Sequence, residues 1–377
     1  MRILITGGAG FIGSNLALAL IDSGHEVTVL DSLSPQIHGA DPRARSALFR
    51  SIDGRVRFFE GSVTDEAAWT LALEGQEAIV HLAAETGTGQ SMYEIKRYVD
   101  VNIGGTALML NLLANRPHSV RKIVVSSSRA LYGEGKYASA DGIVYPVART
   151  NGDLQAGKFE LYCTKSGAPL TLLPTDEDSK LHPSSVYGIT KQSQEQLIMT
   201  VCPAISIAAT ALRYQNVYGP GQSLSNPYTG ILSIFSTRIL HGKPINIFED
   251  GNESRDFVYI DDIVSATALA LLSPAANGEV FGIGSGVATT VRHATETLCA
   301  KFGIPTEMNV TGAYRVGDIR HNYADITKAR RLLNYLPAVD FDTGIGEFVK
   351  WVLQQPLQQD DYEKSLHELK AKGLMHG

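Results

Sequence analysis

Tyr187-Gly188-Ile189-Thr190-Lys191 sets a phenol and an ammonium four residues apart, which on a helix is one turn along a single face. An ammonium so placed lowers the phenol pKa, leaves a tyrosinate base near neutral pH and can hold a ribose. Upstream, Ser126-Ser127-Ser128-Arg129-Ala130-Leu131-Tyr132-Gly133 closes a strand-like run. There a hydroxyl at Ser128 can share a substrate oxygen's proton with Tyr187; the plainer alternative is a serine-rich strand end bonded to its own backbone.

A second motif stands at the start of the chain. Gly7-Gly8-Ala9-Gly10-Phe11-Ile12-Gly13 follows the apolar run Ile3-Leu4-Ile5 directly, and GxxGxxG spacing suits a strand–turn–helix that holds a dinucleotide. Gly7 and Gly10 let the backbone turn and approach a pyrophosphate at the helix N-terminus, and Gly13 lets helix and strand pack closely. Asp31 closes a second strand, Glu26-Val27-Thr28-Val29-Leu30, where a carboxylate can bind the 2′- and 3′-hydroxyls of an adenosine ribose. Its charge repels the 2′-phosphate of NADP, and Ser32 and Leu33 supply no arginine to reverse that, so NAD is favoured.

Positioning these groups requires a layered fold. Strand-like runs recur at residues 2–6, 26–30, 56–60, 78–82, 122–126 and 206–212, with helix-length segments between most of them, which reads as an α/β doubly wound parallel sheet of Rossmann type. From about Tyr214 the pattern shortens and becomes rich in Gly, Pro and Asn. The expected division is a dinucleotide lobe over 1–213 and a smaller substrate lobe over 214–377. The two interleave if Phe257–Tyr259 and Val280–Ile283 return to the main sheet. Helices over about 92–116 and 187–202 carry more apolar residues than one core face needs, among them Val101, Leu108, Leu112, Leu197, Ile198 and Val201. Tyr362, Leu366 and Leu369 form an apolar stripe in a C-terminal helix that packs on its own protein or on a neighbour.

Composition narrows the classes. The 377 residues, 44% hydrophobic with net charge −6, describe a large core without a basic face, so nucleic acid is not an expected partner. No apolar stretch is long enough for a membrane span and no signal-peptide pattern precedes the first strand, so no membrane partner and a cytoplasmic location are expected. Three cysteines, Cys163, Cys202 and Cys299, form no CxxC pair, and the ten histidines show no ligand spacing, so no metal site is indicated; His81 reads as a core histidine.

The glycines, Asp31, His81-Leu82-Ala83-Ala84, Asn102 with Gly105-Thr106, the serine run and YxxxK follow one another in the order of a single family. Over about residues 1–350 the chain resembles the extended short-chain dehydrogenase/reductases that epimerise or dehydrate nucleotide sugars. The resemblance implies NAD as cofactor, a nucleotide-sugar substrate and a homodimer formed through the two apolar helices. It implies Ser128, Tyr187 and Lys191 as the catalytic triad, with cofactor contacts at Gly7, Gly10, Phe11, Ile12, Gly13, Asp31, Ser62 and Val63. Leu82, Ala83, Ala84, Asn102, Ser126, Tyr187 and Lys191 complete that set. Asn216, Arg255 and Arg315 match residues that contact the substrate's diphosphate, where guanidinium groups donate paired hydrogen bonds.

Two departures accompany the likeness. Ser62 stands where many relatives carry an acid that contacts adenine, and an insertion near 147–175, containing Cys163, is either a cover over the sugar or a surface elaboration.

Members of the family begin by oxidising the sugar at C4, the tyrosinate taking the hydroxyl proton while NAD accepts hydride. Dehydratases then use an Asp-Glu pair after the serine or threonine, and decarboxylases a glutamate in that stretch. Here the positions are Arg129 and Ala130. Rotation of the 4-keto sugar and return of hydride to its other face, a 4-epimerisation, is the expected outcome. The run Ala84 to Glu94, the sequence after Ser128 and the insertion are most similar to the subgroup that converts dTDP-L-rhamnose to dTDP-6-deoxy-L-talose. Epimerases of UDP-hexose or UDP-glucuronate are the alternative, and a non-catalytic NAD-binding redox sensor a remote one. Cysteines often paired in that subgroup's insertion are absent, since Thr164-Lys165-Ser166 follows Cys163. Thr86, Gln90, Ser91, Ser128 and Arg129 are expected on the sugar.

Overall fold

The computed structural model describes residues 1–228 and 230–377. Seven strands form its main sheet: β1 (Arg2–Thr6), β2 (Glu26–Asp31), β3 (Arg57–Glu60), β4 (Ala78–His81), β5 (Lys122–Ser128), β6 (Ala208–Tyr214) and β7 (Val280–Ile283). All pair in parallel, in the order β7-β6-β5-β4-β1-β2-β3. The strands are apolar on both sides because both faces are covered. Ile3 and Ile5 enter one core cluster while Leu4, between them, enters the other. The chain leaves β1 and β4 in opposite directions along the sheet, which opens a crevice at their carboxyl ends where ligands of such folds bind.

The strand runs expected over residues 2–212 all lie in this sheet, and β7 joins it after the chain has built much of the second lobe. Phe257–Tyr259 does not return to it. That segment pairs in parallel with Asn216–Tyr218 in a sheet of two strands. Buried Asp256 explains the detour: its carboxylate accepts from the backbone of Ser285 (2.7 Å), Gly286 (3.0 Å) and Ala324 (3.1 Å), fixing the chain beside the end of β7. Beyond that anchor, Tyr218, Phe257, Tyr259 and Phe348 turn into the second lobe's own aromatic core.

The helix expected over about 92–116 is interrupted. A turn at Ile95–Tyr98 leads into a π-helical stretch, Val99–Gly104, before the α-helix Gly105–Asn115. The insertion carries a short helix, Asn151–Gln155, and one strand, Thr171–Leu172, which joins the preceding strands Tyr137–Ser139 and Gly142–Val144 in an antiparallel patch ahead of a long helix; α1 is Phe11–Asp22, α2 is Gly105–Asn115 and α3, the long helix, is Val186–Ala204. Ion pairs, one buried and one half-exposed, tie the insertion to the second lobe. Arg149 reaches Glu249 (2.8 Å) and Glu134 (3.4 Å), while Glu160 meets the buried Arg320 and lies 3.2 Å from His321.

Candidate active site

Helix α3 presents the phenol and the ammonium, and its start is fixed from three sides. Ser185 caps it by accepting the Gly188 N–H (3.1 Å). Gly188 is required because a Cβ there would lie 2.6 Å from the Ala130 carbonyl oxygen. Ser91 Oγ accepts the Tyr187 N–H (3.0 Å). Ser91, expected on the sugar, is therefore buried behind Tyr187 and does not line the cavity. Asn102, expected on the cofactor, is likewise set back. Its amide oxygen accepts from Glu85 N–H (2.7 Å), and its nitrogen donates to the Glu85 carbonyl (3.1 Å) and to Thr190 Oγ1 (2.9 Å). Asn102 thus ties the loop after β4 to the turn of α3 between Tyr187 and Lys191, and the π-helical stretch aims it there.

The electrostatics correct one expectation. Burial pushes the Tyr187 phenol above its ordinary pKa, and the opposing influences are a hydrogen bond with Ser128 and the charge of Arg129, not Lys191. Lys191 instead turns to Gln194 Oε1 (2.8 Å) and Ser126 Oγ (3.4 Å), and burial lowers its pKa to about 7. Arg129, on the turn after β5, donates from Nε to Asn216 Oδ1 (2.7 Å); burial and the neighbouring Arg255 charge lower its pKa to about 9. Beneath Lys191, Glu195 accepts from Arg213 through both oxygens (2.6 and 3.0 Å) and from Ser127 Oγ (2.5 Å), a buried pair that the motifs did not announce. His81 is held between Thr6 Oγ1 (2.8 Å) and Thr106 Oγ1 (3.0 Å), and burial lowers its pKa to about 3, so it is a neutral core residue.

One cavity of about 820 Å³ runs from the glycine turn past Tyr187 into the second lobe. At its first end a Cβ on Gly7 (φ +67°) would sit 2.9 Å from the Ala83 backbone, and one on Gly13 only 2.3 Å from the Gly7 oxygen. Only glycine fits there, and the first turn of α1 carries no acid, so the cradle suits a pyrophosphate. Asp31 lines the same end and accepts from Ala9 N–H (3.0 Å) and Leu33 N–H (2.8 Å), with His38 Nε2 3.8 Å away. His38 was not singled out by spacing, because it reaches Asp31 only through the loop that follows β2. Ser62 Oγ is occupied by Thr64, through its hydroxyl (2.8 Å) and its N–H (3.1 Å). Phe11, Ile12, Val63, Leu82, Ala83, Ala84 and Ser126 complete this half, whose shape and donors fit a dinucleotide.

Thr86, Gln90, Ser128, Arg129 and Asn216 line the middle, and Arg255 and Arg315 the far end. Arg315 is oriented by Asp318 (2.9 Å from Nε), and Arg255 donates to the carbonyls of Ser254 (2.8 Å) and Arg320 (3.0 Å). None of the described residues from 131 to 186 lines the cavity, so the insertion is no cover for it; it braces the loops that carry Glu249 and Arg320. Among the described residues no group of three or more metal-ligating side chains forms, and no helix is long and apolar enough to cross a membrane.

This arrangement is shared. The NAD dependent epimerase/dehydratase family matches residues 3–284, and the chain belongs to that family; its cofactor is NAD. A dTDP-L-rhamnose 4-epimerase of Burkholderia thailandensis is 39% identical over 94% of this chain and 95% of its own. A UDP-glucose 4-epimerase of Mycolicibacterium smegmatis is 31% identical over 93% of this chain and 98% of its own. The crystal structure of UDP-glucuronic acid 4-epimerase from Bacillus cereus, in complex with UDP-glucuronic acid and NAD, superposes with a TM-score of 0.76 at 28% identity. It covers 94% of this chain and 99% of that one. The present chain is an NAD-dependent nucleotide-sugar 4-epimerase.

Proposed function

We propose that the substrate is dTDP-L-rhamnose and the product dTDP-6-deoxy-L-talose. The observation that carries this reading is the 39% identity, across nearly the whole chain, to an enzyme of that name. The Arg129-Ala130 pair supports epimerisation as the outcome, since no acid stands beside Ser128 to direct the intermediate toward elimination.

Tyr187, as tyrosinate, takes the proton from the 4-hydroxyl, with Ser128 bonded to the same oxygen. Arg129 favours that tyrosinate, because its charge lowers the phenol pKa. Lys191 holds the nicotinamide ribose. NAD, held by the Gly7–Gly13 turn and Asp31, supplies a reversible acceptor for the C4 hydride. Asn216, Arg255 and Arg315 grip the diphosphate, so the hexose can turn over while the nucleotide stays fixed. Tyr187 returns the proton to the inverted alcohol, and no cofactor is consumed.

A second reading, UDP-glucuronate, is favoured by Arg129, whose side chain donates to Asn216 and suits a sugar carboxylate. A homodimer is also proposed. Ile95, Val99 and Ile189 are exposed on the adjoining helical segments, while Leu112 and Ile198 belong to the core. A monomeric mass in light scattering would refute it.

Proton NMR of the purified protein with dTDP-L-rhamnose, UDP-glucose and UDP-glucuronate, each without added cofactor, tests the substrate. A talo-configured product from dTDP-L-rhamnose alone is expected. Turnover of a UDP-sugar alone would replace the proposed substrate.

A further inference from the structure

The C-terminal stripe expected from sequence packs on its own chain, against the cavity. Helix α4 (Tyr362–Ala371) places Tyr362, Ser365, Leu366 and Leu369 in the cavity wall. The chain then forms a short strand, Met375–His376, antiparallel to Tyr314–Arg315, with Met375 opposite Arg315. Glu368 fastens the helix across both lobes, its Oε2 accepting from Tyr228 (2.6 Å) and Tyr93 (3.2 Å).

Within this wall Tyr362 has a distinct environment. The residue is 5% exposed, and its hydroxyl has no hydrogen-bond partner among the described residues. Its ring is pinned by the Arg238 guanidinium, 4.4 Å from the centroid, and Arg238 is held by Glu363 (2.9 Å) and Asp360 (3.6 Å). A buried hydroxyl without a partner calls for one, and the cavity whose wall includes the Tyr362 side chain also holds Arg315, the cation matched to substrate phosphate. Burial raises the phenol pKa to about 12, so the group is a neutral O–H donor at physiological pH.

We propose that the C-terminal helix completes the nucleotide end of the substrate site, and that the Tyr362 hydroxyl donates a hydrogen bond to an oxygen of the bound nucleoside diphosphate beside Arg315. The inference rests on the nucleotide-sugar reading above. It makes Tyr362 a residue of substrate affinity, separate from the chemistry at Tyr187.

The test is calorimetric titration of dTDP and of UDP into the full-length, NAD-loaded protein, wild type and Tyr362→Phe, with thermal melting and bound NAD measured on both. Removing one hydrogen bond to a charged oxygen should raise the Kd for the nucleotide that the wild type binds by about tenfold. KM for the nucleotide sugar should rise by a similar factor, with kcat, NAD content and melting temperature held. An unchanged Kd in the variant, beside a wild type that binds, would overturn the role of Tyr362. Failure of the wild type to bind either nucleotide would overturn the functional reading on which it rests.

Discussion

The two ends of the cavity present different groups to a phosphate. At the glycine turn the protein offers backbone, a helix start free of acids and one carboxylate, Asp31; in the second lobe it offers Arg255 and Arg315, set among Asp318, Glu249 and Glu253. The first solution needs consecutive residues and tolerates no Cβ. The second needs side chains delivered from separate segments and oriented by their surroundings, Arg315 by Asp318 and Arg255 by the carbonyls of Ser254 and Arg320. A resident cofactor suits the first, and a substrate that must be gripped at one end and turned at the other suits the second.

Substitutions at each end should break this contrast in order of size. Tyr187→Phe removes the base common to both halves and should cut kcat by about 10²–10⁴-fold, with NAD still present in the purified protein by its absorbance. Gly13→Ala drives a Cβ into the Gly7 carbonyl and should cost about 1–3 kcal/mol of stability in denaturant titration, with loss of bound NAD. A protein that keeps both its cofactor and its stability would refute the cradle.

Arg129→Met should act through pH. The tyrosinate is the active form and Arg129 holds the Tyr187 pKa down, so removing that charge raises the pKa and moves the ascending limb of the kcat–pH profile to higher pH. Each unit of movement costs about tenfold in rate on that limb. A lower kcat with an unmoved limb would assign Arg129 to sugar contact alone. Glu160→Gln, in the insertion and half exposed, should change stability by about 1 kcal/mol or less and leave KM unchanged, because the insertion lies outside the cavity. A change in KM would return the insertion to the site.

The same contrast explains what the sequence made legible. The parallel sheet, the glycine turn, Asp31 and the Tyr187–Lys191 pair are encoded by apolar runs and fixed short spacings, so they could be read locally. Ser91 and Asn102 read as ligand contacts from sequence because they stand within motifs expected at the ligands. The structure turns both to the backbone of α3 and the β4 loop, a choice made by partners 96 and 88 residues away. The detour of Phe257–Tyr259 depends on Asp256 meeting Ser285 and Ala324. The docking of the insertion depends on Glu160 meeting Arg320, 160 residues on. An amphipathic stripe at Tyr362 shows that the tail packs, but not on what. In each case long-range pairing of polar groups decided the outcome, and periodicity carries no record of it.

The most direct test of the central claim, that hydride leaves C4 and returns to its opposite face while Tyr187 handles the hydroxyl proton, is turnover of dTDP-L-rhamnose in deuterated water followed by proton NMR. The account predicts talo-configured product whose C4 keeps its original hydrogen. Deuterium at C4 of the product would contradict it, since inversion would then proceed by exchange of a proton with solvent.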